Sequence, residues 1–131
     1  MITEDYMTIN IASNILLEAV QKDFSEFFPY LRLRFLPNTK LPVGQQPVRQ
    51  NMVNRPGMKF GDLNNKIVEG SFELNDGITV RELENIFKTK FGVTVQVLRK
   101  SGNIWMEASI TGNWTLGQQN DHGREISGNN D

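Results

Sequence analysis

His122 is the single histidine of this sequence, and there is no cysteine. A structural zinc site takes four Cys or His ligands and a catalytic one usually takes three from the protein, so the residue types exclude zinc. Without cysteine there is neither a disulfide nor a thiolate nucleophile. A Ser-His-acid triad would have to use His122 beside Asp121, yet no Gly-x-Ser-x-Gly elbow occurs. His122 reads as a surface side chain near a helix C-terminus.

The carboxylates offer little more. Glu69 and Glu73 fall on one face of a strand. Four residues of strand rise separate them by about 13 Å, too far for a glycosidase pair. Glu82 is explained by helix capping, and Glu84 is expected to be exposed. Neither a Walker loop nor a Gly-x-Gly-x-x-Gly turn is present. The sequence thus predicts no catalytic residue, no metal and no cofactor.

Two features point to binding instead. Strand alternation places Arg32, Arg34, Gln96, Leu98 and Trp105 on the sheet face away from the core. Tryptophan with arginines on an open sheet can stack single-stranded bases, although the RNP1 consensus is absent. The same face would equally suit a protein partner or a second copy of the chain. It could also be covered by a helix carrying Trp114 and Leu116. The second feature is residues 37–66, rich in Pro, Gly and Asn, where Lys40, Arg49, Arg55, Lys59 and Lys66 stand against Asp62. Neither helical nor strand period is visible there, so a long mobile basic loop is expected, able to act as a partner-binding arm.

The elements that position these residues are written most clearly in 77–116. Thr79-Val80-Arg81-Glu82 is a capping box preceded by Ile78, which can staple onto Leu83. Val80, Leu83, Ile86 and Phe87 repeat at helical spacing, Lys88 and Lys90 suit the helix C-terminus, and Gly92 ends it. Val93, Val95 and Val97 then alternate with polar residues, as do Ile104, Met106, Ala108 and Ile110. A Ser101-Gly102 turn would pair Val97 with Met106 and Leu98 with Trp105.

Upstream, Met7, Ile9 and Ile11 predict a strand, and Ser13 a cap for a helix carrying Leu16, Val20, Phe24, Phe27 and Phe28. Pro29 stops it, and Leu31, Leu33 and Phe35 alternate in the next strand. Phe72 and Leu74 mark a third. Thr115-Leu116-Gly117-Gln118 is a second capping box, opening a helix to about Ile126 that Gly117 and Gly123 should weaken. Residues 127–131 read as a tail. Helix 1 into its strand, F-S-E-F-F-P-Y-L-R-L-R-F, echoes helix 2 into its strand, F-K-T-K-F-G-V-T-V-Q-V-L. The expected fold is a single α+β domain over 1–131: two β-α-β units in a ferredoxin-like arrangement, with an added hairpin strand and a C-terminal helix.

With 131 residues and a formal charge of −1, the chain suits one domain and carries no global bias toward nucleic acid or anionic membranes. It has no long apolar run, and Met1–Met7 carries Glu4 and Asp5 where a secretion signal would be basic, so a cytoplasmic location and no membrane partner are expected. The segments F-G-V-T-V-Q-V-L-R-K-S-G-N-I-W-M-E, W-T-L-G-Q-Q-N-D-H-G and Q-K-D-F-S-E-F-F-P-Y-L resemble a family of small uncharacterised bacterial proteins. The resemblance implies no activity and no site residues. The expected function is a non-catalytic interaction domain acting by protein–protein contact, with single-stranded nucleic-acid binding as the alternative.

Overall fold

The computed structural model describes residues 6–36, 56–63, 66–108 and 111–128. In chain order the elements are β1 (Tyr6–Ile11), α1 (Leu17–Phe27), β2 (Leu31–Leu36), a short 3-10 helix (Phe60–Asp62), β3 (Gly70–Asn75), α2 (Val80–Phe91), β4 (Thr94–Ser101), β5 (Ile104–Glu107) and α3 (Leu116–Gly128). This is the α+β class and element order expected. The strands divide into two antiparallel sheets, β1-β3 and β2-β4-β5. α1 and α2 each therefore carry the chain from the smaller sheet to the larger.

One apolar cluster joins both sheets. Ile9, Ile11, Phe72 and Leu74 enter it from β1 and β3, and Leu31, Leu33, Phe35, Val95 and Val97 from β2 and β4. The helices add Leu17, Val20 and Phe24, and Val80, Leu83, Phe87 and Phe91. Phenylalanine edges bind the parts together: Phe35 meets Phe87 at 5.9 Å and Phe72 meets Phe87 at 5.4 Å, both edge-on.

The echo between the halves extends much further than the helix-to-strand segments. At one constant spacing, Ile9 corresponds to Phe72, Ile11 to Leu74, Leu17 to Val80, Val20 to Leu83, Phe24 to Phe87 and Phe28 to Phe91, all buried. The halves then pair through equivalent positions. Ile9 lies opposite Phe72, and Arg34 opposite Gln96, its counterpart once the extra residue of the Pro29-Tyr30 turn is allowed for. A local two-fold axis passes through both pairs.

The α2 signals hold in detail. Thr79 Oγ1 accepts the Glu82 N–H at 3.0 Å, and Glu82 Oε1 accepts the Thr79 N–H at 2.8 Å. Ser13 does not cap α1. Leu16 is the N-cap and offers no side-chain bond. The Leu17 N–H donates instead to the Met58 C=O at 2.8 Å, while the Phe60 N–H donates to Ile15 C=O at 3.0 Å. Part of the expected 37–66 loop is thus built into the fold. Phe60 is fully buried and packs edge-on against Phe35 at 5.2 Å. Residues 37–55, with Lys40, Arg49 and Arg55, lie outside the described residues.

The hairpin register differs by two residues from the expected one. Arg99 pairs with Met106, Lys100 with Trp105 and Leu98 with Glu107. The turn is Gly102-Asn103, with φ +66° at Gly102. A type II′ turn needs that conformation at its first central residue, and glycine adopts it where Ser101 would be strained. A slip of two leaves every side chain on its expected face.

α3 is also firmer than its glycines suggest. A Cβ at Gly123 would lie 2.9 Å from Tyr30 Cβ and 3.2 Å from Lys100 O, so glycine is what lets the helix lie this close to β4. Leu116 and Gln119 are fully buried. Asn120 Oδ1 accepts the Tyr30 N–H at 2.8 Å, and Ser127, placed in the tail by sequence, accepts the Gly102 N–H at 3.0 Å. Phe60→Ala should therefore cost about 3–5 kcal/mol in urea unfolding. Gly123→Ala, which would add about 1 kcal/mol on an exposed helix, should instead destabilise by about 1–3 kcal/mol through overpacking.

Candidate functional site

Alternation along β2 and β4 sends Leu31, Leu33, Phe35, Val95 and Val97 inward. The residues between them face outward, and there the structure brings together all five residues expected on this face, Arg32, Arg34, Gln96, Leu98 and Trp105. Arg32 pairs with Leu98 across the β2–β4 ladder, and its guanidinium carbon sits 4.1 Å from the centre of the Trp105 ring. Trp105 points away from the core, as expected, and is half-buried. Leu98 lies between Arg32 and Glu107 in the strand order and is 7% exposed, yet it does not join the central cluster. It forms the floor of a small separate patch.

A polar row crosses the same face. Arg34 donates to Gln96 Oε1 through Nε at 3.0 Å and also through an Nη, and Gln96 Nε2 donates to Glu107 Oε1 at 2.6 Å. The row has a cation at one end and a carboxylate at the other, with a neutral amide relaying between them. Trp105 is not covered by α3. That helix packs on the opposite side of β4, where Arg99 donates to Gln119 Oε1 at 2.8 Å. Trp114 stands edge-on to His122 at 5.5 Å instead of reaching Trp105. His122 Nδ1 lies 3.9 Å from Glu125, one turn on, in a half-exposed position. Lys59 is exposed, and its backbone N–H is capped by Asp62 at 2.9 Å.

Sequence reasoning missed Glu84. It is half-buried, not exposed, and its Oε2 accepts the Val97 N–H at 3.2 Å. Its counterpart on α1 is Gln21, whose Nε2 donates to the Leu33 C=O at 2.9 Å. Burial raises the Glu84 pKa above the ordinary carboxylate value and the charge of Glu107 adds to this, while the Val97 N–H and Arg81 pull the other way. The only sequence signal was its place one residue after Leu83, beside the buried stripe of α2. The edge of β5 was missed as well: Ile104 and Met106 are 59% and 45% exposed.

Among the described residues no group of three His, Asp or Glu side chains could hold a metal ion, and no helix is long and apolar enough to cross a membrane. Compared with family models, with curated proteins and with solved structures, the chain matches none.

Arg32→Ala removes an exposed cation–π contact and should cost about 0.5–1 kcal/mol, read by urea unfolding. Glu84 holds its proton more tightly in the folded protein than in the unfolded chain. Its contribution is therefore present below the ordinary carboxylate pKa and lost as pH rises through the raised one. Glu84→Gln keeps an acceptor for the Val97 N–H without the charge. Thermal melts should show the variant matching the parent in acid and exceeding it at neutral pH.

Proposed function

We propose that this chain is a small non-catalytic interaction domain that works in the cytoplasm through protein–protein contact, made by the outer face and free edge of the β2-β4-β5 sheet. The carrying observation is the edge of β5. Among the described residues this strand is paired on one side only. The Ala108 N–H donates to the Val97 C=O at 2.9 Å, so by antiparallel alternation Met106 and Ile104 bond inward to β4. Trp105 and Glu107 then turn their N–H and C=O groups outward.

Sheet proteins usually blunt such an edge with lysine, proline or a bulge. This one reads Ile-Trp-Met-Glu, with a single charge at its end, and holds two of the four large apolar side chains exposed among the described residues. Addition of a strand from another chain would pair the free backbone groups and cover Ile104 and Met106. That chain is a protein partner or a second copy of this one.

Sedimentation from micromolar to submillimolar concentration, with a pull-down on the immobilised domain, tests the reading. The expected result is association that Met106→Lys abolishes while the melting temperature stays unchanged. A monomer that captures nothing the variant fails to capture refutes it. Nucleic-acid binding is the second reading, favoured by Arg32 over Trp105 with Lys100 opposite in register. A single-stranded oligothymidylate would then bind with an affinity that falls steeply with salt and drops on Trp105→Ala.

A further inference from the structure

The other sheet carries a second surface of a different kind. A cleft of about 130 Å³ lies between β1 and α1 and touches Met7, Thr8, Ile9 and Asn10 in succession. Successive strand residues point to opposite faces, so a cleft meeting four in a row runs along the backbone edge of the strand and not over one of its faces. That edge is unpaired among the described residues, since β1 pairs only with β3. Ala19 and Asp23, one helical turn apart, form the facing wall, with Ile15 and Val20 beneath. A second cleft of about 340 Å³ adjoins through Met7, Thr8 and Asp23 and continues past Glu26 and Phe27.

A free strand edge facing a helix across an apolar floor is the geometry in which an extended peptide adds to a sheet. The charges specify the peptide. Asp23 and Glu26 are exposed carboxylates on the helix wall, and neither has an ion-pair partner among the described residues. Lys22 precedes Asp23 by one residue, about 100° around the helix, and lines neither cleft. Ala19 keeps the wall low enough for a backbone to approach.

We propose that this groove binds an extended segment of a partner protein in which small apolar residues alternate with lysine or arginine. The segment pairs with β1, sends its apolar side chains onto Met7 and Ile15, and sets its cations against Asp23 and Glu26. This site is independent of the β5 edge, because it lies on the other sheet.

The experiment is an NMR titration of the full chain with an acetylated hexapeptide of alternating valine and lysine, and with its valine–glutamate counterpart as control. Shifts are expected at residues 7–10 and 19–27, with alternate β1 amides gaining protection from hydrogen exchange. Asp23→Lys with Glu26→Lys should weaken binding by about tenfold or more, since each lost charge contact is replaced by repulsion. Ala19→Arg, an exposed change that fills the cleft, should abolish it at unchanged melting temperature. Equal binding of the glutamate peptide, shifts centred on β5, or full affinity in either variant would overturn the proposal.

Discussion

Both long β-α units depend on a backbone contact made far along the chain. The first N–H groups of a helix have no partner within it. In α1 the Leu17 N–H is taken by Met58, and in α2 the Val80 N–H is taken by Trp114, at 2.8 and 3.1 Å. The exchange is returned two residues later, by the Phe60 N–H to Ile15 and the Leu116 N–H to Ile78. Phe60 and Leu116 then drop into the core fully buried. Neither helix start is complete without its returning segment. Closing such long loops costs only slowly more with length, so the arrangement is tolerable. It also makes each half answerable to contacts that no local window contains.

That constraint explains what could be read in advance. α2 was legible because its box, stripe and terminal glycine are all local. The α1 start was not, because its cap is the backbone of Met58, and backbone has no sequence signature. Phe60 stood in a stretch of Pro, Gly and Asn without a period, since one 3-10 turn is too short to show one. Gly117 and Gly123 looked like helix weakness. Propensity describes an isolated helix, whereas these glycines answer to Asp76 and Tyr30, which only the fold brings near. For the outer face, strand parity sufficed: Arg32, Leu98 and Trp105 share a side in either hairpin register. The apolar edge of β5 and the cleft beside β1 were hidden, because parity says which face a residue takes and nothing about which edges stay unpaired.

The local two-fold axis also accounts for the outer face. It passes through Arg34 and Gln96, so the centre of the β2–β4 ladder must be a pair of equivalent outward residues. Identical charges there would repel directly across the ladder. The two halves carry a donor and an acceptor at this point, and Glu107 from β5 completes the row. The hairpin strand therefore adds the balancing carboxylate that the paired halves lack.

Gln21 and Glu84 show the same donor–acceptor difference in its simplest form. They occupy equivalent helix positions and reach strand backbone, Gln21 at the free edge of β2 and Glu84 on the β5 side of β4, where β5 has ended. On β2 the group within reach is the Leu33 C=O, which requires a donor, and the residue is an amide. On β4 it is the Val97 N–H, which requires an acceptor, and the residue is a carboxylate. At each position the side chain matches the backbone group within its reach. The acceptor need not have been charged, since a glutamine oxygen would serve the Val97 N–H as well. Choosing glutamate places a partly desolvated carboxylate where β5 ends, within the field of Glu107. Two carboxylates, Glu84 and Glu107, thus stand near one another at the end of β5, and their mutual repulsion adds to the burial that raises the Glu84 pKa.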